Sequence, residues 1–276
     1  MVFIRKHELF TETQHIRFID ARYYLSDQPR AHTEFLESHL PGAVFADMDA
    51  VLSDPTLRGF GRHPLPTPAR FLTWLRRNDL YPWRNESLIV CYDNHRGEFA
   101  SRAWWMLRSL GCSNVRVLYD GFLSWSGAEI AVLLETLQKA QGETNSENSF
   151  PHWGVCAEFQ VVTYAALPGA KVIDVRSRDR FESTVTAVSP DILPGHYTEA
   201  VNLFFGGCDP YETKAKAALE SLQPEASRRS IVMCGSGITS CFVIACMAHF
   251  GLRLPLLYVG SWSEIEHRTK SARKEE

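Results

Sequence analysis

The chain has 276 residues, 45% of them hydrophobic, which is enough for two ordinary domains with real cores. A formal net charge of −3, with only short isolated basic clusters, excludes the electrostatic footprint of a nucleic-acid binder. Seven cysteines at irregular spacing, without CxxC or a Cys/His cluster, exclude a zinc module and imply free thiols in a reducing compartment, with no metal and no cofactor expected. The first fifteen residues lack the apolar core of a signal peptide, and no apolar run reaches the roughly 20 residues a membrane span needs, so a cytoplasmic protein is expected.

In chain order, short apolar runs alternate with helical patterns. Strands are expected near 16–20, 43–46, 87–92 and 115–118, with helices at 68–78 and 100–110. A polar stretch rich in Gly, Asn and Ser, 138–152, reads as a linker. Strands are then expected near 171–175, 200–203, 230–233 and 255–258, with helices near 211–222 and 237–250. Four motifs recur in the same order across the linker: "FIDARYY" as "VIDVRSR", "HLPGAVFAD" as "GHYTEAVNLFF", "LIVCYD" as "SIVMCG", and "VLYDGFLSW" as "LLYVGSWSEI". This implies two copies of one α/β fold, each a mostly parallel sheet flanked by helices. The expected division is a first domain over 1–137 and a second over 153–276.

"MCGSGITSCF" carries the chemistry. Cys234 ends a strand, Gly235, Ser236 and Gly237 follow, and an apolar helix begins. Ligands of parallel sheets sit beyond the carboxyl ends of strands. Such a turn aims backbone N–H groups at one spot, and the helix start adds its positive end. A thiol held there loses its proton below the ordinary value near 8.5 and becomes a nucleophile. Three other readings compete. Cys234 can be one more small buried side chain, as Cys241 and Cys246 are on the apolar helix. A dinucleotide loop needs a third glycine where Ser240 stands. A cysteine phosphatase needs an arginine at that same position.

With the loop stand "SRAWWMLRSLG", "HLPGAVFADMDAVLSDP", "GRHPLP" and "YVGSWSE". In these motifs, over about residues 16 to 265, the chain resembles the two-domain rhodanese-like sulfurtransferases, most closely their 3-mercaptopyruvate branch. The resemblance implies two tandem rhodanese-like domains, the second catalytic and the first inactive, since Asp93 in "CYDNHRG" occupies the place of the cysteine. It implies a persulfide on Cys234, loaded from a small-molecule donor and discharged to cyanide, a small thiol or a thioredoxin-type thiol. It places Ser236, His63 and Asp49 in a proton-handling triad. Arg180, Gly235, Gly237, Ile238 and Thr239 fall at substrate-binding positions.

The family's second carboxylate-binding arginine falls on Ser189; Arg178 is an extra arginine that could compensate, although its helical phase differs. "GHYTEAVN" also departs from the usual "GHIPGAVN". These differences leave the donor open between 3-mercaptopyruvate and thiosulfate or another sulfane compound. A binding or regulatory module that kept the fold without turnover is the alternative of another class.

Overall fold

The computed structural model describes residues 1–12, 15–57, 59–81, 83, 87–139, 156–183, 195–223 and 229–275. They form two compact units, Met1–Leu52 with Pro66–Ala157, and Ser53–Leu65 with Glu158–Glu276. The segment 53–65 thus packs with the second half of the sequence, which its position did not suggest. From residue 140 onward, the expected linker lies outside the described residues.

The first unit runs β1 (Phe3–Ile4), α1 (Lys6–Leu9), β2 (His15–Asp20), α2 (Gln28–Glu37), β3 (Val44–Phe45), α3 (Pro68–Arg77), β4 (Ser87–Tyr92), α4 (Ala100–Ser109), β5 (Val115–Leu118) and α5 (Gly127–Lys139). Its sheet is parallel in every described pairing, ordered β1-β5-β4-β2-β3. The second unit runs β6 (Val161–Val162), β7 (Val172–Asp174), α6 (Arg178–Glu182), β8 (Ala200–Asn202), α7 (Thr213–Ser221), β9 (Ile231–Met233), α8 (Thr239–His249), β10 (Leu256–Tyr258) and α9 (Ser261–Glu275). Its parallel order β6-β10-β9-β7-β8 repeats the first. The duplicated α/β fold expected from the motif echoes is therefore present.

The eight expected strands form, within a few residues. The two-residue strands β1 and β6 were not expected, because two residues hold no period. Helices α1, α2, α5, α6 and α9 were also unassigned. Pro29 in the first turn marks the start of α2, as Pro68 marks that of α3, where the Thr67 side chain also accepts from Arg70 N (3.3 Å). α5 runs to Lys139, so Gln138 and Lys139 are helical rather than linker.

The echo "D-x-R" is a structural device in both units. Asp20 and Arg22 form a buried ion pair of 2.7 Å, and Arg22 Nη2 donates onward to Ser38 O (2.8 Å). Asp174 and Arg176 repeat it at 2.7 Å, with Arg176 Nη2 donating to Gly195 O (2.9 Å). Each arginine also lies over an aromatic ring, Phe122 at 4.5 Å and Trp262 at 4.7 Å. A charge this deep persists only when paired and fully hydrogen-bonded. Here the pairs tie the ends of β2 and β7 to the loops that follow them.

The loop after β4 shows what such a loop demands. Asp93 is fully buried, and its carboxylate accepts from the N–H groups of His95 (2.8 Å), Gly97 (3.1 Å), Phe99 (2.7 Å) and Ala100 (2.9 Å). The cradle is filled by the chain's own anion. Asp93→Ala should strand these donors at a cost of roughly 1–3 kcal/mol each. Urea denaturation should therefore show a loss of at least about 3 kcal/mol. Asp93→Asn, which keeps one acceptor oxygen, should lose less. Equal stability of Asp93→Ala and the parent chain would remove the carboxylate from this role.

Candidate active site

The second unit repeats the loop with a different occupant. β9 ends at Met233, Cys234 follows with 2% exposure, and α8 begins at Thr239. From Ser240 to Met247, α8 is buried around its whole surface, which explains why its sequence is apolar on every face. Cys241 and Cys246 are fully buried there, in keeping with structural thiols.

The start of α9 clamps the loop. Cys234 N donates to Ser261 Oγ (3.1 Å), which donates to Tyr258 O (2.9 Å). Trp262 N donates to Cys234 O and Ser263 N to Gly235 O, both at 3.0 Å. Gly237 has φ +80°, and a Cβ there would stand 2.5 Å from Val259 O, so no side chain fits. These constraints aim the loop amides inward, and Gly237 N donates to Cys234 Sγ at 3.1 Å.

Burial alone would push the Cys234 thiol up. The dipoles of the Ser240 and Thr239 hydroxyls and of the Ser236 and Ser240 N–H groups outweigh it, and the thiol titrates below its ordinary value. Cys91 and Cys112 go the other way: burial raises both, Cys112 to about 12. Ile238 is buried at the helix start, and Thr239 is half-buried beside it.

The segment 53–65 supplies more of the site. His63 is 1% exposed, and its Nδ1 lies 2.8 Å from Ser236 Oγ. Arg62 N donates to Ser263 Oγ (2.9 Å), so α9 fixes this segment as well as the Cys234 loop. Gly61 (φ +90°) lies so close to Gly260 that a Cβ would come within 2.5 Å of its carbonyl oxygen.

A Cβ on Gly235 would stand 2.9 Å from Arg180 Nη2 and 3.6 Å from Arg62 Nη2. Two guanidinium groups therefore converge over the Cys234 loop. Burial, then Arg176 and Arg62, lower the Arg180 pKa, while the negative Cys234 sulfur raises it. Arg62 was not singled out in the sequence, although it adjoins His63, because nothing local reveals a neighbour more than a hundred positions on. Arg178 is exposed and paired with Glu182 at 2.7 Å. Ser189 lies outside the described residues. Asp49 belongs to the first unit, where its N–H donates to Asp47 Oδ1 (2.9 Å).

The model of the rhodanese-like domain matches residues 6–128. The 3-mercaptopyruvate sulfurtransferase of Escherichia coli is 31% identical over 262 residues, covering 90% of this chain and 88% of that protein. The thiosulfate sulfurtransferase of Gallus gallus is 28% identical over 268 residues, covering 92% and 87%. The solved 3-mercaptopyruvate sulfurtransferase from Leishmania major superposes with a TM-score of 0.76 at 28% identity, covering 98% of this chain and 75% of that one. A duplicated parallel α/β fold and relatives matched over nine-tenths of its length make this chain a member of the two-domain rhodanese-like sulfurtransferases, a family of enzymes.

Proposed function

We propose that the chain transfers sulfur from 3-mercaptopyruvate through a persulfide on Cys234. The observation that carries the reading is the buried Cys234 sulfur, which accepts the Gly237 N–H at 3.1 Å and whose thiol is lowered despite burial. The thiolate attacks the donor's sulfur and an S–S bond forms. The C–S bond breaks, and its electron pair leaves as the enolate of pyruvate, which takes up one proton at carbon. In the second half-reaction cyanide or a thiolate attacks the outer sulfur, the S–S bond breaks, and its electrons return to Cys234. The loop amides favour negative charge on sulfur in both halves.

A donor panel followed by pyruvate, sulfite and transferred sulfur tests this. Intact mass after donor treatment should show one added sulfur in the parent chain and none in Cys234→Ser. Sulfur retained by Cys234→Ser would transfer the role to another thiol. Turnover of thiosulfate with inert mercaptopyruvate would move the chain to the thiosulfate reading. Inertness toward every donor would favour the binding module.

Arg180 and Arg62, whose guanidinium groups converge on Gly235, hold the donor's carboxylate in this reading, a planar anion that guanidinium matches bidentately. Arg62 offers the second cation that the sequence lacks at Ser189. Arg62→Ala and Arg180→Ala should each raise KM for mercaptopyruvate about tenfold or more, the worth of one charge-assisted contact, with a smaller change in kcat. An unchanged KM in Arg62→Ala would remove it from the subsite.

His63 and Ser236 are the proton-handling pair. The enolate needs a proton as it leaves, whereas sulfite, the leaving group of thiosulfate, does not. His63→Ala should therefore slow turnover of mercaptopyruvate by about 10²–10⁴-fold and that of thiosulfate far less. An equal drop with both donors would make His63 a structural residue.

A further inference from the structure

Ser240 is the second residue of α8, six positions after Cys234, and is fully buried. Its Oγ has no partner at hydrogen-bonding geometry. A serine in a helix ordinarily returns its hydroxyl to the carbonyl one turn back. Ser101, the second residue of α4 in the first unit, does so: its Oγ donates to Gly97 O at 2.6 Å. The equivalent bond in the second unit is made by Cys241, whose Sγ donates at 3.4 Å to the carbonyl oxygen of Gly237, a glycine again at positive φ. Ser240, one position earlier, makes no such bond to Ser236 O. The helix therefore permits such bonds, and Ser240 alone of these three side chains is left over.

A buried hydroxyl without a partner is unfavourable. This hydroxyl lies near enough to the Cys234 sulfur to favour its thiolate, yet it is not aligned on it. A second sulfur added to Cys234 extends the nucleophile by one atom within the same cradle and brings a new, negatively charged acceptor. We propose that Ser240 is a further catalytic residue, whose hydroxyl donates to the outer sulfur of the Cys234 persulfide and holds the loaded enzyme between its two half-reactions. The inference rests on Cys234 being the sulfur carrier and adds the group that recognises the carried atom. No bond to Ser240 forms or breaks. The hydroxyl keeps its proton and turns toward the new acceptor.

The test compares the full chain with Ser240→Ala, resting and sulfur-loaded, by thermal denaturation, intact mass and discharge to cyanide. In the parent chain loading should raise Tm. In Ser240→Ala the resting Tm should be unchanged or higher, since an unpartnered group is gone, while the gain on loading shrinks. Its persulfide should discharge about tenfold faster, the worth of one hydrogen bond to a charged group. Ser240→Thr, which keeps the hydroxyl, should restore both. If Ser240→Ala does not fold, Ser240→Gly, which also removes the hydroxyl, carries the same comparison. Equal loading gain and discharge in parent and variant overturn the proposal, as does a resting Tm that falls by as much as the loaded one. Those results leave Cys234 as carrier untouched. Absence of added sulfur on the parent Cys234 overturns both readings together.

Discussion

A loop that closes over the end of a parallel strand turns its amides inward, and those amides require an anion. Everything distinctive about the two units follows from what meets that requirement. After β4 it is the Asp93 carboxylate, which takes N–H bonds from His95, Gly97, Phe99 and Ala100 and cannot leave. After β9 it is the Cys234 sulfur, held by Gly237 N and set among the Ser236, Thr239 and Ser240 dipoles. One geometry thus gives a closed structural plug in one copy and a thiol lowered below its ordinary value in the other. The difference is whether the side chain can accept and release an atom.

The loops are held in place by charge pairing deep in each sheet. Asp20–Arg22 and Asp174–Arg176 are too deep to contribute much net stability against an apolar substitute, because desolvation offsets most of the attraction. Their value is directional. Each arginine spends its remaining donor on a loop carbonyl and lies against an aromatic ring, which fixes where the strand's exit loop turns. Around Cys234 a second layer is added, and a single three-residue stretch, Ser261 to Ser263, supplies it. It holds Cys234 N, Cys234 O, Gly235 O and Arg62 N. Ser261 has φ +52°, a left-handed backbone that a non-glycine residue adopts at a cost and that a site can maintain only by surrounding it with such bonds.

The internal repeat was legible because both copies share buried strands and the Asp-x-Arg clamp, and these leave similar residues at similar spacing. The Cys234 loop was legible for the same reason, since a strand end, two glycines and a helix start are all local. Short edge strands such as β1 and β6 were not, because a two-residue strand is defined by its partner, β5 or β10, rather than by its own pattern. Helix α9 was missed because most of its length, "EHRTKSARKE", is polar and its apolar anchors are only Trp262 and Ile265. Arg62 was hidden by sequence distance alone.

The segment 53–65 shows how the duplication was put to use. By packing it belongs to the second unit, although it lies in the first half of the chain. It brings Arg62 and His63 to a loop that already has its own anion cradle, strand and helix. A single rhodanese-like unit built from 158–276 would hold the nucleophile, Ser236 and Arg180, and so has the parts that stabilise sulfur. It would lack the second guanidinium and the imidazole. In the proposed reaction those two groups bear on the organic portion of the donor, its carboxylate and the carbon that must be protonated, and not on the sulfur itself. On the proposed function, sulfur transfer as such is a property of the loop after β9, and discrimination among donors falls to a strap borrowed from the other half of the sequence. The absence of an arginine at 189 matters less on this view, because the cation that reads the carboxylate need not come from the same half of the chain as the nucleophile.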